Sequence, residues 1–209
     1  MGRHTGPTEK LSRRAGVELE LKGERRMMRK SGLDRRAYPP GQHGMSSGRR
    51  PSVYAVQLAA KQIAKRYYGV RERQFRRYIR EAQRTAAGRT GDRLLQLLEM
   101  RLDNVVHRLG FAATRAQARQ FVTHHHVEVD GVRCDVPSRR VAPGSVVAIR
   151  ANSAVRPVAQ EATELTELIA PWLLADQENL VGRVVRAPER TEIAAPIEEH
   201  LIVEYYSRV

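Results

Sequence analysis

The stretch TGDRLLQLLEMRLDNVVHRLGFAATRAQARQFVTHHHVEVDGVRCDV, Thr90 to Val136, changes its hydrophobic period from helical to alternating, and that change decides the fold. Leu94, Leu98, Leu102, Val105 and Leu109 recur on one helical face, and Gly110 supplies a stop, so one continuous helix is predicted up to Leu109. Thr114 followed three residues later by Gln117 makes a capping box that opens a second helix. Ala118, Phe121 and Val122 are its buried side, and Arg115 and Arg119, four apart, form a basic front. From Val127 the period becomes two. Asp130-Gly131 is a hairpin turn between short strands, with Val127, Val129, Val132, Cys134 and Val136 predicted to face inward. A turn at Pro143-Gly144 and the strand in APGSVVAIR complete a compact module of two helices and a small antiparallel sheet.

The run His124-His125-His126 at the helix-to-strand junction raises the question of a metal. Neighbouring side chains on an extended chain point to opposite faces, so His124 and His126 can share a ligand but His125 cannot join them. Two nitrogens fall short of a structural zinc site. Cys134, the sole cysteine, permits neither an internal disulfide nor a thiolate metal site, as expected for a cytosolic chain.

Charge points to the partner. The chain of 209 residues carries 37 Lys plus Arg against 23 Asp plus Glu, with a pI near 10.8, and Arg dominates. Such an excess predicts a polyanion, nucleic acid foremost, and forked contacts to phosphate. Residues 1–150 hold 32 basic and 13 acidic side chains and residues 151–209 hold 5 and 10, so a charge of +19 in the first part faces −5 in the second. The polyanion is expected on the first part, and scaffold or protein contacts on the second. An anionic membrane surface is the competing partner for such charge; no apolar run approaches the roughly 18 residues of a spanning helix, and a soluble chain with no membrane partner is expected.

Residues 1–45 are rich in breakers and poor in apolar side chains, which reads as an extended basic arm ordered by its polyanion. Further on, Ala55, Ala59, Ile63 and Tyr67 recur at helical spacing. In VRERQFRRYIREAQR, Phe75, Tyr78, Ile79 and Ala82 form an apolar stripe opposite Arg73, Arg76, Arg77, Arg80 and Arg84. Five arginines in one row without interleaved acids repel one another until phosphate neutralises them.

RLDNVVHRLGFAATRAQARQFVTHHHVEVDG with VPSRRVAPGSVV closely resembles the RNA-binding module named after small-subunit ribosomal protein four. The opening MGR…GP, the arm's RRAYPPGQHG, the helix YGVRERQFRRY and the closing LIVEYYSR extend the resemblance to the bacterial ribosomal protein family over essentially the whole chain. The resemblance implies an α+β protein: an α-helical domain (46–98 with 186–209), an inserted small RNA-binding module with its extension (99–185), and the extended basic N-terminal arm (1–45). It implies a primary rRNA-binding constituent of the small subunit that nucleates assembly of the body, lines the mRNA entry, and influences accuracy with neighbouring protein five; protein three is a further neighbour.

On this resemblance and the placement of charge, the expected RNA-binding residues are Arg3, Arg13, Arg14, Lys22, Arg25, Arg26, Arg35, Arg36, Tyr38, Gln42, His43, Arg49, Arg50, Arg73, Arg76, Arg77, Arg80, Arg115, Gln117, Arg119, His124 and His126. The family usually has His-Gly-His where this chain has His124-His125-His126. Many members bind zinc in the arm through four cysteines; Glu9, Ser12, Arg26 and Ser31 stand there, so a zinc-free form is expected, with no cofactor and no small-molecule substrate. The competing class is a pseudouridine synthase using the same module, whose active-site Asp commonly lies in an RLD phrase. Here RLDN, Arg101 to Asn104, falls inside the module's own helix, Asp103 reads as a surface or capping carboxylate, and no length remains for a catalytic fold. No enzyme is expected.

Overall fold

The computed structural model describes residues 4–23, 28, 30–46, 50–84, 89–166 and 168–208. These divide into two compact units, residues 1–94 with 194–209 and residues 95–193.

In the first unit, α1 (Glu9–Ala15) and the short α2 (Gly32–Arg35) precede α3 (Val53–Tyr67) and α4 (Glu72–Arg84), and α9 (Glu199–Ser207) packs on α3. Of the four residues that recur at helical spacing in α3, only Tyr67 is buried. Ala59 is exposed, and the buried residues are Gln57, Ala60, Lys61, Ala64 and Tyr67. Two of these are polar because partners wait for them: Gln57 bonds Glu204 at 2.8 Å, and the Lys61 ammonium meets Glu72 at 3.0 Å and the Tyr205 ring at 4.6 Å. Glu72 also receives Lys65 at 3.1 Å and the Tyr206 hydroxyl at 2.8 Å, so α3, α4 and α9 share one carboxylate.

The segment expected to be extended is partly folded. Leu19 is fully buried, Glu9 Oε2 accepts from Gly32 N–H at 2.6 Å, Ser31 Oγ donates to Glu18, and the Leu19 N–H reaches Ser12 Oγ at 3.4 Å. Local polar bonds thus join α1 to α2 where apolar area alone is too small. Glu9, Ser12 and Ser31 spend their oxygens on these bonds; Arg26 lies outside the described residues.

The second unit holds α6 (Leu102–Arg108), α7 (Arg115–Thr123), α8 (Arg156–Glu164) and a sheet ordered β2-β1-β3-β5-β4, from β1 (Val127–Val129), β2 (Val132–Arg133), β3 (Val146–Ile149), β4 (Leu173–Asp176) and β5 (Val181–Val184), all antiparallel. The core joins Leu102, Val105, Val106 and Leu109 to Phe121, Val122, Val127, Val129, Val147 and Trp172. Gly182 permits this packing, since a Cβ there would collide with Leu109. The hairpin β4–β5 leaves little trace in the sequence, because LLADQENLVGRV alternates only weakly and its buried Gly182 removes a hydrophobic signal.

Two expectations need correction. The long helix is two: α5 (Thr90–Glu99) ends, and Arg101 is extended at φ −72°, ψ 140° before α6 begins. The break is made from outside, where the loop carbonyls of Arg139 and Pro137 accept from Leu102 and Asp103 N–H at 2.8 and 3.1 Å, and Val141 N–H bonds Met100 O at 2.9 Å. In the hairpin, Cys134 is buried but Val132 and Val136 are 63% and 47% exposed. Val132 shares a face with Val129, yet it lies on a two-residue edge strand that overhangs the core.

Helices α3, α6 and α7 end alike, with the residue after the cap in the left-handed region and paired bonds back to the last turn. Gly69 and Gly110 fill this place in the first two; in α7 it is His125, at φ 64°. His125 N–H bonds Val122 O and His126 N–H bonds Phe121 O, both at 3.0 Å, so the glycine-type turn is kept by a residue with a Cβ. Left-handed backbone costs such a residue about 1–2 kcal/mol, and glycine returns roughly 0.5–1 of that as unfolded-chain entropy. His125→Gly is therefore expected to stabilise the protein by about 0.5–1 kcal/mol, read as a higher urea midpoint at unchanged slope; a lower midpoint would show the turn to be unstrained.

Candidate nucleic-acid interface

Helix α4 builds the clearest basic surface. Phe75, Tyr78, Ile79 and Ala82 are buried, which turns Arg73, Arg76, Arg77, Arg80 and Arg84 outward, and all five are exposed. Its one inward acid, Glu72, is held at a pKa of about 2: burial pushes it up, but hydrogen bonds from Lys61, Tyr206 and Lys65 outweigh that. That carboxylate is committed to scaffold, and Glu81 is the only other acid on α4, so the outward face stays strongly basic.

The arm residues are disposed in two ways. Arg14, Lys22, Arg35, Arg36, Gln42, His43 and Arg50 are exposed. Arg13 is tied down: its Nε donates to the carbonyls of Arg36 and Tyr38 at 3.2 and 3.1 Å, and its guanidinium lies 5.0 Å from the Tyr38 ring centroid. Arg3, Arg25, Arg26 and Arg49 lie outside the described residues.

In the second unit the supposed basic front of α7 turns inward. Arg115 is buried, with Nε donating to Asn104 Oδ1 at 2.9 Å, and Arg119 meets Asp103 at 3.1 Å. The cause is Asn104 and Asp103 on α6, acceptors that spacing along α7 does not reveal. Asp103 is also no surface carboxylate: the wholly buried Arg101 donates to both of its oxygens, at 3.0 and 2.6 Å. Beside it, buried Glu99 receives Asn104 at 2.7 Å and Arg108 at 3.0 and 2.9 Å. An Asp103 so engaged is not available as a nucleophile or base.

Thr114 Oγ1 caps α7 by accepting from Gln117 N–H at 3.2 Å, while the Gln117 side chain reaches back to Ala113 N–H at 2.8 Å. His124 is exposed. His126 is half-buried, its Nδ1 lies 3.0 Å from Ser153 Oγ, and its pKa is lowered by burial and by His124, Arg150 and His125 around it. A ring so placed is disposed to hydrogen-bond in its neutral form. Arg133, Arg139 and Arg140 are exposed on β2 and the loop that pins α6; the pair in PSRR was the signal for the last two.

His107 gives this unit a pH response. Burial and the nearby Arg115 and Arg108 charges hold its pKa down at about 3, and its Nδ1 lies 3.0 Å from Ala112 O. The unfolded imidazole takes a proton near its ordinary value of 6.5 whereas the folded one does not. Stability from this group is thus full above pH 6.5 and falls between 6.5 and 3, by at most about 1.4 kcal/mol per pH unit. Thermal unfolding from pH 7 to 4 should show this fall, reduced in His107→Gln; equal slopes would refute it.

Helices packed on an antiparallel sheet with exposed arginines, joined to a basic helical unit, have the layout of a small nucleic-acid-binding module with a basic companion domain. Family models agree: that of the ribosomal protein S4/S9 N-terminal domain matches residues 3–99, and that of the S4 domain matches residues 100–147. The chain is 55% identical over 210 residues to the small ribosomal subunit protein uS4 of Natranaerobius thermophilus, 53% identical over 209 residues to uS4A of Symbiobacterium thermophilum, and 49% identical over 210 residues to uS4 of Thermus thermophilus, covering 100% of both partners each time. The chain belongs to the ribosomal protein S4 family, whose members are structural and not catalytic.

Proposed function

We propose that this chain is a cytoplasmic structural constituent of the small ribosomal subunit that binds its rRNA directly, nucleates assembly of the subunit body, lines the mRNA entry, and influences accuracy where it meets protein five, with protein three as a further neighbour. The observation that carries the reading is the row of five exposed arginines on α4, the charge pattern that suits a phosphate backbone. The helical domain (46–98 with 186–209), the module with its extension (99–185) and the arm (1–45) are the functional divisions on this reading. RNA contacts fall to the exposed arm and α4 residues, to Gln117, His124 and His126, and, as additions, to Arg133, Arg139 and Arg140. Arg115 and Arg119 act from beneath by holding α7 to α6. Among the described residues no helix is long and apolar enough to cross a membrane.

The test is co-sedimentation of the untagged chain with small subunits through a high-salt wash, with binding to isolated small-subunit rRNA measured in parallel. Retention at stoichiometric level is expected. Release into the supernatant, or equal affinity for a DNA duplex of matched sequence, would reject the assignment.

A further inference from the structure

The outward face of α8 is the opposite of that of α4. Ala159, Ala162 and Thr163 are its buried side, so the rows Pro157–Gln160–Glu164 and Val158–Glu161–Leu165 face solvent at intervals of three and four residues. Val158 is 41% exposed, Leu165 37%, and Leu168 just beyond the helix 87%. Neither row carries a basic side chain. Arg156, the sole basic residue from 151 to 180 against five acidic ones, is turned to the carbonyls of Ile149 and Asn179 at 3.3 and 3.4 Å. The matched S4 domain ends at residue 147, so this face also lies outside the RNA-binding module proper.

We propose that this face docks a basic, aliphatic-bearing segment of a neighbouring protein in the assembled subunit; the proposal rests on the ribosomal reading above. Phosphate is disfavoured because Glu161 and Glu164 would face it across a desolvated contact. A second copy of the chain is disfavoured too, since a two-fold contact sets the same carboxylates against each other. A segment with two or three Lys or Arg around an apolar anchor satisfies both features: its cations meet Glu161 and Glu164, and its anchor covers Val158 and Leu165, about 10 Å apart along the helix.

The experiment places a photo-crosslinking amino acid at Val158 or Leu165 of the full chain, assembles it into small subunits with rRNA and total subunit proteins, and identifies the adduct. A protein adduct mapping to a Lys- or Arg-rich peptide is expected. Glu161→Lys with Glu164→Lys should lower its yield about fivefold or more while binding to rRNA alone and the thermal transition stay unchanged. An adduct to rRNA, an acidic peptide, no adduct, or a yield indifferent to charge reversal would overturn the docking face with the subunit assignment intact. A chain that fails to enter subunits would reject that assignment and this face with it.

Discussion

Asp103→Ala is expected to cost about 3–5 kcal/mol, the range for removing one partner of a buried ion pair. Its carboxylate is 5% exposed and receives the fully buried Arg101 on both oxygens and Arg119 on one. Removing it leaves two arginines without the acceptor that fixes the start of α6 and the side of α7. Loss of that much, against a total of about 5–15 kcal/mol for a domain, should abolish the cooperative transition of the module near physiological temperature. Replacing the pair together, Arg101→Met with Asp103→Leu, should recover part of the loss, because the fully buried charge goes too while the partly exposed Arg119 still lacks this acceptor. Denaturant unfolding of both variants decides the matter: a single variant within 1 kcal/mol of the parent would show that water reaches Arg101. By the same contacts, Arg115→Ala and Arg119→Ala are expected to lower stability as well as RNA affinity.

The second large effect belongs to the outer surface. Changing Arg73, Arg76, Arg77 and Arg80 together to Gln leaves the buried side of α4 intact, so the fold should persist. If each contacts one phosphate, the slope of log affinity against log salt should fall by about 3–4, and affinity near 100 mM salt by roughly two to four decades. Filter binding to small-subunit rRNA over a salt series measures both. An unchanged slope would move the phosphate contacts away from α4.

These predictions concern different layers of information, and the sequence discloses them unequally. The arginine row of α4 was legible because solvent-facing charge opposite Phe75, Tyr78, Ile79 and Ala82 follows from helical period alone. The family, the α+β class and the hairpin turn at Asp130-Gly131 were likewise written in local pattern and motif order. The direction of Arg115 and Arg119 was not: a helical face looks basic to solvent unless one knows that Asp103 and Asn104 lie opposite it.

The break at Arg101 was hidden for a related reason. The apolar spacing of Leu98, Leu102 and Val105 continues through it, while its cause is a loop some forty residues away that takes the N–H groups of Leu102 and Asp103. Burial of Gln57 and Lys61 depends in the same way on α9, from the far end of the chain. The sequence by itself therefore determined the α+β class, the basic outward face of α4, the hairpin turn at Asp130-Gly131 and the family. The tertiary structure alone decided which polar side chains are structural, because burying a charge is favourable only beside its partner, and partners are brought together by packing.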